Sequence, residues 1–199
     1  MSGPLSLPRL PRRPRSILLA GVLVAAVVAG ALAVTASGQP GQRRPPTPAK
    51  SFTLSELGHP GGHVALAAFA GQPVVLNFFA SWCAPCKRET PLLARFYATH
   101  HSRVAIIGID ANDQTTAALK FVRAEKVGYP VGVDPFPAST ATSYGVLALP
   151  QTFFLNARHQ IVRHIAGDVT ARELSAWAAS SASHPATAAG KASSTGDRS

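Results

Sequence analysis

Seven residues, Pro73-Val74-Val75-Leu76-Asn77-Phe78-Phe79, form an almost unbroken apolar run between Gly71 and a turn around Trp82. A strand with one wet face alternates polar and apolar residues. A run without alternation suits a strand covered on both sides, at the centre of a layered α/β domain. The stretch from Pro85 to about His100 has Leu92, Leu93, Phe96 and Tyr97 near helical spacing, and Val104-Ala105-Ile106-Ile107-Gly108-Ile109 is a second buried run. Strand, helix, strand in this length predicts two parallel strands joined by a right-handed crossover.

The rest of the domain follows in the same way. Asn112 or Asp113 is placed to cap a helix running through Leu119, Phe121 and Val122 to Lys126, and a short strand is expected at Val131–Asp134. Ala138–Tyr144 reads as a short helix. Gln151–Leu155 and Gln160–Ile165 read as two strands of a hairpin around Asn156-Ala157-Arg158-His159. Thr170-Ala171-Arg172-Glu173 has the form of a capping box opening a last helix. His159 and His164 belong to the turn and the strand.

The flanks differ in composition. Residues 1–16 carry four arginines and no acid, and residues 17–36 carry no charge and are rich in Ala, Val and Leu. Twenty helical residues at 1.5 Å each reach ~30 Å, the thickness of a bilayer's hydrocarbon core. The arginine flank predicts that residues 1–16 stay in the cytoplasm and that everything beyond is extracytoplasmic. A transmembrane anchor at 17–36 is the expectation, with a cleaved signal peptide as the alternative. Residues 37–50, with four prolines and two glycines, read as a semi-rigid linker. The domain is expected at 51–181, followed by a disordered Ala/Ser/Thr-rich tail at 182–199.

The net charge of +10 is a property of these flanks. Residues 1–50 hold seven basic residues and no acid, whereas the domain interleaves ten bases with eight acids. No single-sign stripe tracks a phosphate backbone, so a nucleic-acid partner is excluded.

The chemistry lies in Trp82-Cys83-Ala84-Pro85-Cys86, just past the central strand and at the start of the helix. A sulfur there meets unpaired backbone N–H groups and the positive end of the helix dipole, which favour thiolate over thiol. Cys83 is therefore the candidate nucleophile, and Cys86 is placed to resolve a mixed disulfide formed on it. The alternative, half of a zinc site, lacks the remaining ligands at suitable spacing, so no metal is expected.

Three features resemble the thioredoxin superfamily, and within it the membrane-anchored thiol-disulfide oxidoreductases of the TlpA and ResA type. These are Asn77 through Glu89 with the cysteine pair inside, Leu149-Pro150-Gln151-Thr152-Phe153, and a lead-in of Phe52-Thr53-Leu54, Val64-Ala65-Leu66 and Gly71-Gln72-Pro73. The resemblance covers 51–181. It implies a thioredoxin-like α/β fold, a central mixed sheet flanked by helices with an N-terminal strand or hairpin extension.

It also implies a cis peptide before Pro150, which lies against the cysteines so that Trp82, Leu149 and Pro150 receive substrate. Pro85 and Glu89 are implied as residues that tune the redox pair. Asn77 departs from cytosolic thioredoxins, which have a proton-accepting aspartate there, and Glu89 stands where TlpA and ResA relatives have a glutamate. A solvated surface acid paired with Arg88 or Lys87 is the competing reading of Glu89.

The function implied is a tethered dithiol reductase of exported proteins, apocytochrome c among them, recharged by a membrane electron-transfer protein and needing no cofactor. A disulfide oxidase, a Cu(I)-binding chaperone and a thiol peroxidase remain as alternatives.

Overall fold

A computed structural model of the 199-residue chain describes residues 46–182. The expectations for the basic segment 1–16, the anchor 17–36, most of the linker and the tail beyond 182 lie outside the described residues. Among the described residues, no helix is long and apolar enough to cross a membrane.

The core is a mixed eight-stranded sheet in the order β1-β8-β7-β4-β5-β6-β2-β3. The strands are β1 (Thr47–Pro48), β2 (Thr53–Glu56), β3 (His63–Ala65), β4 (Val74–Phe79), β5 (Ala105–Ala111), β6 (Val131–Asp134), β7 (Gln151–Leu155) and β8 (Gln160–Ala166). The helices are α1 (Ala84–His100), α2 (Thr115–Ala124), α3 (Ser139–Ser143) and α4 (Ala171–Ala182). The apolar run Val74–Phe79 is central and every residue of it is buried. It pairs in parallel with β5 and antiparallel with β7, so the β4-α1-β5 unit forms as its pattern demands.

Alternation sorts the central strands onto two cores. Val75, Phe79, Ile106 and Phe154 face α1, α2 and α4, against Leu93, Phe96, Phe121 and Leu174. Val74, Leu76, Phe78, Ile107 and Ile109 face the other side, against Ala141 of α3 and Leu66 of the 3-10 turn Leu66–Phe69. Both cysteines belong to the first core.

Two local expectations are corrected. Composition places residues 37–50 in a Pro-rich linker, but Thr47 and Pro48 form β1 opposite Ile161 and Gln160, and Ala49 donates its N–H to His159 O at 2.8 Å. Proline is tolerated on an outer strand because one side of that strand needs no N–H. The domain therefore begins at the sheet edge before residue 51. The second correction concerns the cap of α2: Gln114 takes the N-cap place with no side-chain bond, and Asn112 adopts a left-handed φ of 52°. The capping box at α4 forms in full, with Glu173 Oε2 accepting from Thr170 N at 2.9 Å and Thr170 Oγ1 accepting from Glu173 N at 3.3 Å.

Candidate active site

The site gathers at the C-terminal end of β4 and β5 and the N-terminal end of β7. β4 ends at Phe79, the chain turns through Ser81 and Trp82, and α1 begins at Ala84 with Cys83 as its N-cap. The Cys86 N–H donates to Cys83 Sγ at 3.2 Å. The helix thus aims one of its otherwise unpaired donors at the first sulfur, which stabilises negative charge there. Pro85 occupies the first turn, where its missing N–H costs nothing.

The cysteines form a disulfide, with their Cα atoms 5.2 Å apart. Cys83 keeps 4% of its surface open and Cys86 none, so the first cysteine is the more accessible of the two.

Pro150 is buried, and the Leu149–Pro150 peptide is cis. Leu149 packs against both cores, the first of which contains the two cysteines. Trp82 is 59% exposed at the rim and anchors its indole by donating Nε1–H to Asn112 O at 3.2 Å. Phe136 and Leu147, which pattern reading did not single out, are also exposed.

Glu89 is 2% exposed, one helical turn beyond Cys86. Its Oε1 accepts from Asn77 Nδ2 at 2.8 Å and its Oε2 from Val169 N at 2.8 Å. Arg88, the partner in the surface-acid reading, instead bridges Asp168 at 3.0 Å, so Glu89 is not a solvated surface acid. Burial pushes its carboxyl up from 4.5 to about 7, opposed by the bonds from Val169 and Asn77 and reinforced by the Asp168 charge.

Asn77 also donates to Thr152 Oγ1 at 3.0 Å. One amide therefore ties the central strand, the CxxC helix and the strand after the cis proline together. Thr152 and the Val169 amide were not legible from motif spacing, because a threonine in a buried strand and a backbone N–H carry no signature of their own.

His159 Nε2 meets Phe69 O at 3.0 Å, and His164 meets Gln151 Oε1 at 2.8 Å while stacking on Phe153. Both serve packing. Among the described residues, no three His, Cys, Asp or Glu side chains come together as a metal site.

A thioredoxin-like sheet in which the helix after the central strand opens on a Cys83–Cys86 disulfide defines a thiol-disulfide oxidoreductase. The family model for AhpC/TSA matches residues 45–165, and the chain belongs to that family. Its relatives place it with the TlpA/ResA type. It is 31% identical over 127 residues to the thiol-disulfide oxidoreductase ResA of Bacillus thuringiensis, covering 63% of this chain and 72% of the relative. A DsbF homologue from Corynebacterium diphtheriae superposes with a TM-score of 0.62 at 26% identity, over 71% of this chain and 96% of that one. A secreted Mycobacterium tuberculosis disulfide oxidoreductase gives a TM-score of 0.58 at 25% identity, over 65% and 95%.

Proposed function

We propose that the protein reduces disulfides in exported proteins outside the cytoplasm, as a tethered reductant of the cytochrome c maturation kind. The Cys83 thiolate attacks one substrate sulfur and expels the other as a thiolate. Cys86, deprotonated, then attacks Cys83 Sγ and releases the second substrate thiolate. Two electrons pass to the substrate and the pair is left as the disulfide. A membrane electron-transfer protein returns the electrons, and Trp82 and Leu149, the residue that precedes buried Pro150, form the docking rim.

The observation that carries this reading is Glu89, buried one turn from Cys86 and held by Asn77 and Val169. A carboxyl raised to about 7 accepts and returns a proton near neutral pH, which Asn77 cannot do. Once ionised, it opposes thiolate on its neighbour, destabilises the reduced pair and makes it a better reductant. Export is supported by the uncharged stretch 17–36 behind its arginines and by the secreted relative from M. tuberculosis.

The test is the reduction potential of the Cys83/Cys86 pair together with its thiol state in cells. A potential near ~−270 mV with the pair mostly reduced is expected. A potential near ~−120 mV with the pair mostly oxidised would make the protein an oxidase and overturn the proposal.

A further inference from the structure

Asp110 takes no part in the exchange chemistry, yet its burial demands an account. It lies near the end of β5 on the same sheet face as Phe79 and the cysteines, with none of its surface exposed. Its register neighbours are Phe79 on β4 and Val133 on β6, both apolar. No N–H or hydroxyl group donates to either carboxyl oxygen, and the side chain within hydrogen-bonding reach is the Asp113 carboxyl. An ionised carboxylate left so would cost several kcal/mol, so the group is carried neutral and holds a proton to donate.

The group placed to receive that proton is Asp113. Its Oδ1 accepts from Gln114 N at 2.7 Å and its Oδ2 accepts from the Ser81 backbone N–H. One residue earlier, Asn112 O takes the Trp82 indole. The segment 110–113 is therefore stitched to Ser81 and Trp82, directly ahead of Cys83.

We propose that Asp110 is a positioning residue for Cys83: its carboxyl proton bridges to Asp113 and fixes the Ser81-Trp82 turn from which the attacking sulfur projects.

Burial and the Asp113 charge raise Asp110 from 3.8 to about 8, so the bridge holds at neutral pH and is lost above it. Asp113 is the charged group acting on Asp110. Asp134 on neighbouring β6 is engaged with the Thr140 and Ala141 amides, and the Cys83 thiol joins the titrating groups only when the pair is reduced. Above the transition two carboxylates repel, the hold on Ser81 loosens, and Cys83 thiolate is disfavoured.

The inference rests on Cys83 as the attacking thiol; the first two readouts are independent of that assignment. In oxidised full-length protein with Trp177→Phe, Trp82 emission should titrate with a midpoint near pH 8, and Asp110→Asn, a neutral donor of the same shape, should abolish the transition. Aspartate-selective 13C labelling of the parent should show one carboxyl titrating near pH 8, which needs no folded variant. In reduced protein, the ratio of parent to Asp110→Asn alkylation rates at Cys83 should hold constant below about pH 7 and fall several-fold towards about pH 9. Aspartates that all titrate in the ordinary acidic range, or superimposable Trp82 titrations in parent and variant, would overturn the proposal. A flat alkylation ratio with the first two results intact would refute the link to Cys83 alone.

Discussion

Replacing Glu89 with Gln keeps the side chain's size and removes its charge. In the oxidised protein the cysteines do not titrate, so the difference in stability between variant and parent isolates the Glu89 carboxyl. Glu89 is raised from 4.5 to about 7 in the folded state, and its burial to 2% exposure leaves little solvent screening. The native state therefore binds the proton more tightly than the unfolded chain. The stabilisation is fully present below about pH 4.5, declines as pH rises, and is gone above about 7. A span of ~2.5 pH units corresponds to about 3 kcal/mol.

Gln introduces an opposing, pH-independent cost. Its amide oxygen can accept from Asn77 or from Val169, but the NH2 must then face the other donor, which costs about 1–3 kcal/mol. The variant should accordingly be less stable than the parent by about 1–3 kcal/mol at pH 4.5, and the gap should close or reverse by about pH 8. Denaturant unfolding of both oxidised proteins across that range measures it. A difference that stays constant with pH would refute the burial argument. In the reduced protein, the same variant should ionise its thiols at lower pH and shift the potential to less negative values, because the opposing carboxylate is gone.

Cys86→Ser should accumulate mixed disulfides with substrate while Cys83→Ser does not, as read on non-reducing gels; the reverse pattern would exchange the attacking and resolving roles. Asn77→Leu removes a donor that favours the charged form of Glu89, so the Glu89 titration should move above about 7, visible in glutamate-selective 13C spectra, and an unchanged titration would show that Asn77 is a spectator. Full-length protein should fractionate with membranes and expose its C-terminal domain to external protease once outer barriers are removed. A soluble mature form beginning near Val34 or Ser37 would mean a cleaved leader instead.

Pattern alone reached much of this architecture. The run from Val74 to Phe79 could be satisfied only by cover on both faces, and the helix after Cys83 followed from apolar spacing. The cysteine pair was legible as a redox pair because its spacing depends on position along one helix. The edge strand at Thr47–Pro48 was not legible: proline-rich composition describes a chain without partners, whereas β8 supplies one from more than a hundred residues away.

Glu89 shows where sequence stops. Its spacing from Cys86 put it one turn along the helix but left burial undecided, since helical periodicity permits an inward or outward face for a residue flanked by Arg88 and Thr90. Burial was decided by Asn77 from the central strand and the Val169 amide from the loop before the last helix, which only the packed sheet brings to the same carboxyl. Asp110 is the same case carried further, because its neutrality depends on Phe79, Val133 and Asp113 surrounding it. The chain by itself determined which atoms exchange electrons, a matter of local spacing and a helix end. The proton affinities around them were decided by tertiary structure, because desolvation and long-range hydrogen bonds exist only once distant segments pack.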